Sequence, residues 1–152
     1  MNQNKFNLPP HQLKIRKQGS KLDVFDSLRK KYVVLTPEEE VRQHFIHYMI
    51  QHKNYPPGLL AVEYSLKVNN MKKRADIVTF SKFGHPLLLV ECKAPSVKIT
   101  QNVFDQIARY NLSLRVDYLI VTNGLEHFCC QLDFKNNRYS FLEEIPDYLE
   151  IQ

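Results

Sequence analysis

Hydrophobic and polar positions alternate mainly with the two-residue period of β-strands, and continuous apolar runs mark strands that are buried on both faces. Alternation predicts a hairpin over residues 13–26 with a turn at 18–20. The strands predicted from these patterns cover residues 13–17, 21–26, 59–68, 74–80, 85–93, 117–122, 128–134 and 139–142. In the strand over 59–68, alternation puts Leu60, Val62, Tyr64 and Leu66 on one face.

Two stretches have the spacing of α-helices instead. Thr36 is placed as an N-cap, with Pro37 at the first helical position and Glu39 closing a capping box. This helix should run to about residue 52, and its apolar face consists of Val41, Phe45, Tyr48 and Met49. A second helix should begin after Thr100 and end near residue 114.

This order of elements predicts an α/β fold with a mixed central sheet, helices on its faces and additional hairpins towards both ends. We expect a flexible arm over residues 1–12, which contains Pro9-Pro10, and a single domain over residues 13–152.

The most informative stretch is the predicted hairpin from Arg74 to Pro95. Its second strand is apolar up to Val90 and then turns polar at Glu91 and Lys93, whose side chains share a face. Asp76, on the first strand, should meet them if the strands pair. Two carboxylates and a lysine at a core boundary would suit a hard cation such as Mg2+. The alternative is a structural ion pair, and carboxyl groups on opposite sides of the sheet would exclude a shared cation.

These motifs, taken in order, resemble the PD-(D/E)XK nuclease superfamily, and within it the N-terminal nuclease domain of type I restriction enzyme R proteins. The resemblance covers roughly residues 30–130. It is carried by residues 74–76 (Arg-Ala-Asp), 91–93 (Glu-Cys-Lys), the pair Gln106 and Tyr110, and 122–124 (Thr-Asn-Gly). One departure is an alanine where the superfamily's name has proline, at a position that varies.

The resemblance implies a restriction-endonuclease-like fold and a metal-dependent DNA endonuclease that hydrolyses phosphodiester bonds. It implies that Asp76 and Glu91 bind Mg2+ or Mn2+, and that Lys93 orients water or stabilises developing charge. Gln106 and Tyr110 would position water or phosphate.

A carboxylate on the first helix would complete the site. In the type I branch it stands four residues before an arginine, which selects Glu38 through Arg42. Glu39 is the other candidate on this helix, although capping should occupy it. Glu63 is either a neighbour of the metal site or an exposed partner of Lys67.

Composition and charge limit which binding partners and which cellular compartment we expect for the protein. The chain has 152 residues and a formal net charge of +5, which weakly favours an anionic partner such as DNA. Its three cysteines fit a reduced, cytoplasmic protein better than a disulfide framework. No apolar run is long enough for a membrane span, and we expect no signal peptide. Basic runs at 29–31 and 72–74 are either solvated or contact phosphate.

Two other interpretations stay open. The chain has four glycines and no Gly-x4-Gly-Lys-Ser/Thr loop, so we expect the ATP-driven motor of type I enzymes to be absent. The domain would then act with other restriction-system subunits, as a homodimer that supplies a second cutting centre, or as a non-catalytic nuclease-like module that binds DNA or a partner. An unrelated α/β domain with a structural ion pair is the third interpretation.

Overall fold

The structure is a computed structural model that describes residues 5–68, 70–112 and 115–152. Within these residues the elements are β1 (Ile15–Gln18), β2 (Lys21–Asp26), β3 (Lys31–Val34), α1 (Pro37–His52), β4 (Leu60–Val68), β5 (Met71–Phe80), β6 (Pro86–Cys92), α2 (Gln101–Leu112), β7 (Tyr118–Thr122), β8 (His127–Asp133), β9 (Arg138–Leu142) and α3 (Tyr148–Ile151). A 3-10 turn (Pro57–Leu59) precedes β4.

The strands form two sheets. β1, β2 and β3 make a small antiparallel sheet, which contains the predicted N-terminal hairpin. The other strands form one sheet in the order β4-β5-β6-β7-β8-β9, antiparallel except for the parallel pair β6 and β7. A parallel pair requires a crossover connection, and α2 provides it. The predicted α/β class with a mixed central sheet is therefore confirmed.

The large sheet buries apolar side chains on both faces. One cluster joins α1 to the sheet and also takes in the C-terminal segment; its central members are Val41, Phe45, Met49, Ile77, Leu88, Val90, Ile120 and Tyr148. The second cluster joins α2 to the opposite face, with Val78, Leu89, Phe104, Ala108, Leu119 and Val121 at its centre. The run at 87–90 is apolar because β6 lies in the middle of this sheet and contributes to both clusters.

Helix α1 begins as the sequence predicts, but only half of the capping box forms. The Thr36 hydroxyl accepts a hydrogen bond from the Glu39 backbone N–H at 3.0 Å. The Glu39 carboxylate does not close the box. It binds Arg29 and Arg42, and the Thr36 N–H donates to the Val34 carbonyl at 3.1 Å. The Glu39 carboxylate therefore forms ion pairs with Arg29 and Arg42 in place of the predicted hydrogen bond to the Thr36 N–H.

The prediction of a loose arm is wrong for residues 5–8. Phe6 and Leu8 are buried, and the Asn7 N–H donates to the Gly124 carbonyl at 2.9 Å. Gly124 has φ +87°, and a Cβ there would stand 2.6 Å from the Phe6 ring. Glycine is thus required both by the backbone conformation and by the close packing of the N-terminal segment. Residues 1–4 lie outside the described part of the chain.

Helix α2 is capped as predicted, since the Val103 N–H donates to the Thr100 hydroxyl at 3.2 Å. The described helix ends at Leu112, and the predicted continuation to 114 falls on residues outside the description. No helix among the described residues is both long and apolar enough to cross a membrane.

Candidate active site

Strand β4 is irregular at Glu63, next to the candidate site. The predicted single face for the strand's apolar residues is wrong, because Val62 packs with the α1-side cluster whereas Leu66 packs with the α2-side cluster. Between them Glu63 adopts a left-handed conformation with φ 53°, which is unfavourable for a residue with a Cβ. Strained backbone of this kind is common at functional sites, since the surrounding structure must hold it.

The partner strand β5 changes face at the same level. Ala75 packs with the α2-side cluster, and Ile77, two residues on, packs with the α1-side cluster. In a regular strand these two side chains would share a face. Asp76 lies between them, so its side chain leaves the strand where the alternation breaks.

Asp76 is held by two donors. Its Oδ2 accepts a hydrogen bond from the Cys92 backbone N–H at 2.7 Å, and its Oδ1 lies 3.2 Å from Nη1 of Arg42 on α1. Burial raises the pKa of Asp76 to about 6; the Cys92 and Arg42 contacts oppose this rise, and the negative charge of Glu91 adds to it. The carboxyl group is therefore costly to ionise in this environment.

Glu91 is paired with Lys73, a residue of the basic run at 72–74. The Lys73 Nζ lies 3.1 Å from Oε1 of Glu91, donates to Oδ1 of Asn111 at 2.7 Å and lies 4.0 Å from the centre of the Tyr110 ring. Burial lowers the pKa of Lys73, although the charge of Glu91 opposes that change.

The two carboxylates occupy neighbouring positions, and their ion pairs connect to different helices. Ile77 pairs with Val90 between β5 and β6, and Asp76 and Glu91 are the next residues on the two strands. Asp76 is bound by a residue of α1, whereas the cation on Glu91 also contacts α2. The charge of Glu91 nevertheless acts on Asp76, so the two groups lie within electrostatic range.

Lys93 follows β6 directly. Its backbone N–H donates to the Thr122 carbonyl at 2.8 Å, which fixes the chain beyond the strand end, and its side chain is half-buried. The positive charge of Lys93 contributes to the lowered pKa of Lys73, so the two ammonium groups lie within electrostatic range of each other.

Gln106 and Tyr110 are exposed residues of α2 that line an open cleft of about 510 Å³. The other residues lining this cleft are Lys72, Lys73, Arg74, Glu91 and Ile107. The structure thus brings Gln106, Tyr110 and Glu91 to one cleft, with basic residues at its edge.

The three candidate glutamates have different surroundings. Glu38 is exposed, and its negative charge makes a small contribution to the raised pKa of Asp76. Glu39 is buried and bound by Arg29 and Arg42. Glu63 lies 3.2 Å from Nη2 of Arg42 and is contacted by arginines rather than by the Lys67 partner considered above.

The ion-pair network behind Asp76 was not foreseen in the sequence. Arg29 belongs to a run expected to be solvated or to contact phosphate, but its side chain binds Asp26 at 2.6 Å and also contacts Glu39 and Glu63. It thereby joins the small sheet to Arg42, the residue that binds Asp76. The only sequence signal was spacing, because Asp26–Arg29 and Glu39–Arg42 are both separated by three residues.

The donor set is compatible with a hard divalent cation that uses few protein ligands. Asp76 and Glu91 offer carboxylate oxygens, which Mg2+ and Mn2+ prefer, and Mg2+ commonly takes one or two carboxylates and keeps water. Within residues 5–68, 70–112 and 115–152, no group of three or more His, Cys, Asp or Glu side chains is arranged to hold a metal ion.

The sequence of the chain matches a known protein family. The sequence profile of the family "Type I restriction enzyme R protein N terminus (HSDR_N)" matches residues 37–146, which is more than half of the chain. The chain belongs to this family. The match begins at the first residue of α1 and ends after β9, so it includes the strands that carry Asp76 and Glu91.

One solved structure has a fold similar to that of this chain. It is a fragment assigned as the HsdR subunit of a type I restriction enzyme from Vibrio vulnificus YJ016, with a TM-score of 0.54 and 18% sequence identity. The alignment covers 77% of this chain and 24% of that one, so the R-protein N-terminal domain described here spans about a quarter of its structural relative. No curated protein sequence matches the chain.

Proposed function

We propose that this R-protein N-terminal domain is a metal-dependent DNA endonuclease domain that hydrolyses phosphodiester bonds. The observation that carries the proposal is the position of Asp76 and Glu91. They are adjacent across β5 and β6 at the end of the paired register, and both side chains are largely buried. The negative charge of Glu91 acts on Asp76, so a divalent cation bound to both carboxylates would offset the repulsion between them.

Asp76 and Glu91 would hold Mg2+ or Mn2+. When bound, such a cation polarises a phosphate oxygen and lowers the pKa of a coordinated water. The Cys92 N–H fixes the Asp76 carboxylate through Oδ2, and Arg42 holds its other oxygen. These contacts orient the carboxylate before any ligand arrives, which reduces the reorganisation that binding requires.

The remaining family residues would act around the phosphate. Lys93, within electrostatic range of Lys73, would orient the attacking water or stabilise negative charge on the phosphate. Gln106 and Tyr110 would position water or phosphate from the cleft in which they lie. Glu38, the carboxylate on α1 that acts on Asp76, would support the site from the opposite helix.

DNA is the proposed substrate, and the basic edge of the cleft supports that choice. Lys72 and Arg74 are exposed beside the cleft, where they would attract a polyanionic backbone and make binding sensitive to salt. We further propose cytoplasmic action with other subunits of a restriction system. A homodimer would place two cutting centres on one duplex.

The test is a cleavage assay on duplex DNA with Mg2+ or Mn2+, comparing the natural chain with Asp76→Asn, Glu91→Gln and Lys93→Met. We expect each substitution to lower the cleavage rate by roughly 100-fold or more, because each removes a charge acting on the reacting phosphate or its cation. Asp133→Asn, a carboxylate substitution at the β8–β9 turn, serves as the matched control. Equal cleavage by all five proteins would contradict the proposal.

A second function is favoured by one specific observation. Asp76 and Glu91 are each already paired with a cation, Arg42 and Lys73, so a site of this kind can be neutral without metal. A nuclease-like module that binds DNA or a partner subunit without cutting would have this property. Calorimetry distinguishes the two: a module of this kind would bind DNA and show no heat on titration with Mn2+.

A further inference from the structure

Lys73 is held in place from three directions. Its ammonium group contacts the Glu91 carboxylate at 3.1 Å, the Asn111 amide oxygen at 2.7 Å and the face of Tyr110 at 4.0 Å. Its side chain is only 10% exposed, whereas its neighbours Lys72 and Arg74 are exposed. Of these three consecutive basic residues, only Lys73 has a largely buried side chain.

The acceptor on α2 is itself fixed. Asn111 is fully buried, and its amide nitrogen donates to the Ile107 carbonyl at 2.7 Å. An asparagine amide has one donor end and one acceptor end, so this bond directs Oδ1 towards Lys73. The aromatic face of Tyr110 adds a second stabilising contact for a cation. The helix therefore offers the ammonium two partners that do not depend on Glu91.

We propose that Lys73 is a positioning residue that competes with the divalent cation for Glu91 and thereby sets the cation affinity of the site. The proposal rests on the proposed function. In the cation-free protein the ammonium neutralises Glu91. When a divalent cation binds Glu91, the ammonium moves away from the carboxylate and is retained by Asn111 and Tyr110.

The competition follows from charge and geometry. An ammonium 3.1 Å from one carboxylate oxygen occupies space that a cation on that oxygen needs, and like charges so close repel strongly. Displacement costs the Lys73 ammonium one of its three contacts, because the other two lie on α2. A lysine suits such a role better than an arginine, since its ammonium is a compact point charge on a flexible stem.

The first experiment measures Mn2+ affinity by calorimetry for the natural chain, Lys73→Met and Lys72→Met. Both substitutions remove one positive charge near the cleft, but only Lys73 contacts Glu91. We expect Lys73→Met to bind Mn2+ roughly ten-fold more tightly, because a competing ion pair is lost. Lys72→Met should tighten binding by about two-fold at most, through screened charge alone.

The outcomes separate this inference from the proposed function. If the natural chain binds Mn2+ and Lys73→Met binds no more tightly than Lys72→Met, the role of Lys73 is overturned while the metal site stands. If neither the natural chain nor Lys73→Met binds Mn2+, both the metal-dependent function and the role of Lys73 are overturned. Glu91→Gln should weaken Mn2+ binding; unchanged affinity would show that the cation is held elsewhere and would also overturn the role of Lys73.

A second measurement uses the natural chain, so it does not depend on the folding of Lys73→Met. The ammonium resonance of Lys73 is followed by proton–nitrogen NMR during titration with Mg2+ and assigned by its loss in Lys73→Arg. We expect it to shift as the ammonium leaves Glu91, and to reach its end point at the same Mg2+ concentration as the backbone signal of Glu91. A Lys73 resonance that stays unchanged while Glu91 responds would contradict the proposal.

Discussion

Asp76 and Glu91 lie directly beyond the last residue pair between β5 and β6, Ile77 and Val90, yet the fold neutralises them in different ways. Asp76 is bound by Arg42, which is buried, and Arg42 is in turn held by Glu39 and Glu63. Glu91 is bound by a single lysine that has alternative partners on α2. Arginine forks are rigid and always charged, whereas lysine is a mobile point charge. The comparison indicates a permanent structural support at Asp76 and an exchangeable one at Glu91.

The largest expected effect is a loss of stability when Arg42 is substituted. Arg42→Met should lower the free energy of unfolding by about 3–5 kcal/mol, because it leaves the carboxylate of Asp76 without its cation and the buried carboxylate of Glu39 with Arg29 alone. Urea unfolding measures the loss. Arg74→Met is the matched control: Arg74 contacts Glu63 at 3.4 Å but is 70% exposed on its side chain, so its loss should cost under about 1 kcal/mol. Similar losses in the two variants would show that the Arg42 network is not a structural support.

The next effect concerns the proton on Asp76. Its pKa is about 6 in the folded protein against an ordinary value of 3.8, so between these values the folded state binds more protons than the unfolded chain. The free energy of unfolding should therefore fall as pH rises from about 4 through 6, by at most roughly 3 kcal/mol from this group. Without divalent cation, Asp76→Asn should remove this decline.

The control for this experiment has the opposite sign. Burial alone would raise the pKa of Asp26, but hydrogen bonds from Arg29 and Gln43 outweigh burial and lower this pKa below its ordinary value. The contribution of Asp26 to stability is therefore present above its ordinary pKa and lost as pH falls through its lower folded value. Asp26→Asn should remove that loss at acid pH. If the two asparagine variants show the same pH dependence, the assignment of Asp76 as the residue with the raised pKa is wrong.

The smallest effect tests the strained residue Glu63, which contacts Arg42 in the network that supports Asp76. Glu63→Gly and Glu63→Ala both remove the ion pairs with Arg42 and Arg74, but only glycine adopts φ 53° without cost. We expect Glu63→Gly to be more stable than Glu63→Ala by about 1 kcal/mol in urea unfolding. An alanine variant that is as stable as the glycine variant would show that the backbone relaxes here.

Much of the fold was accessible from sequence because its signals are local. The Thr36 cap, the turn at Gly19 and the apolar run ending at Val90 each act within a few residues, and each appears in the structure where it was predicted. The prediction for β4 was wrong because alternation assumes a regular strand, and the left-handed Glu63 reverses its faces. The prediction of a loose arm was wrong for residues 5–8 because Phe6 packs on Gly124, more than a hundred residues away.

Some residues of the candidate site could likewise be predicted from sequence, whereas their ion-pair partners could not. The sequence pattern pointed to Asp76, Glu91 and Lys93, since two of them follow an apolar strand and the third lies on the strand predicted to pair with it, and family resemblance added Gln106, Tyr110 and Glu38. The partners Arg42 and Lys73 come from other elements, and the sequence alone did not pair either of them with its carboxylate. Lys73 looked like its exposed neighbours because a three-residue basic run carries no sign of which side chain turns inward.

By itself, the sequence determined which residues form strands and helices, and which charged residues stand at the ends of buried strands. Those properties depend on local conformation and on hydrophobic period. Only the tertiary structure decided which cation each carboxylate binds, because an ion pair depends on the distance between atoms that the chain brings together from remote positions. That pairing distinguishes the arginine-supported Asp76 from the lysine-paired Glu91.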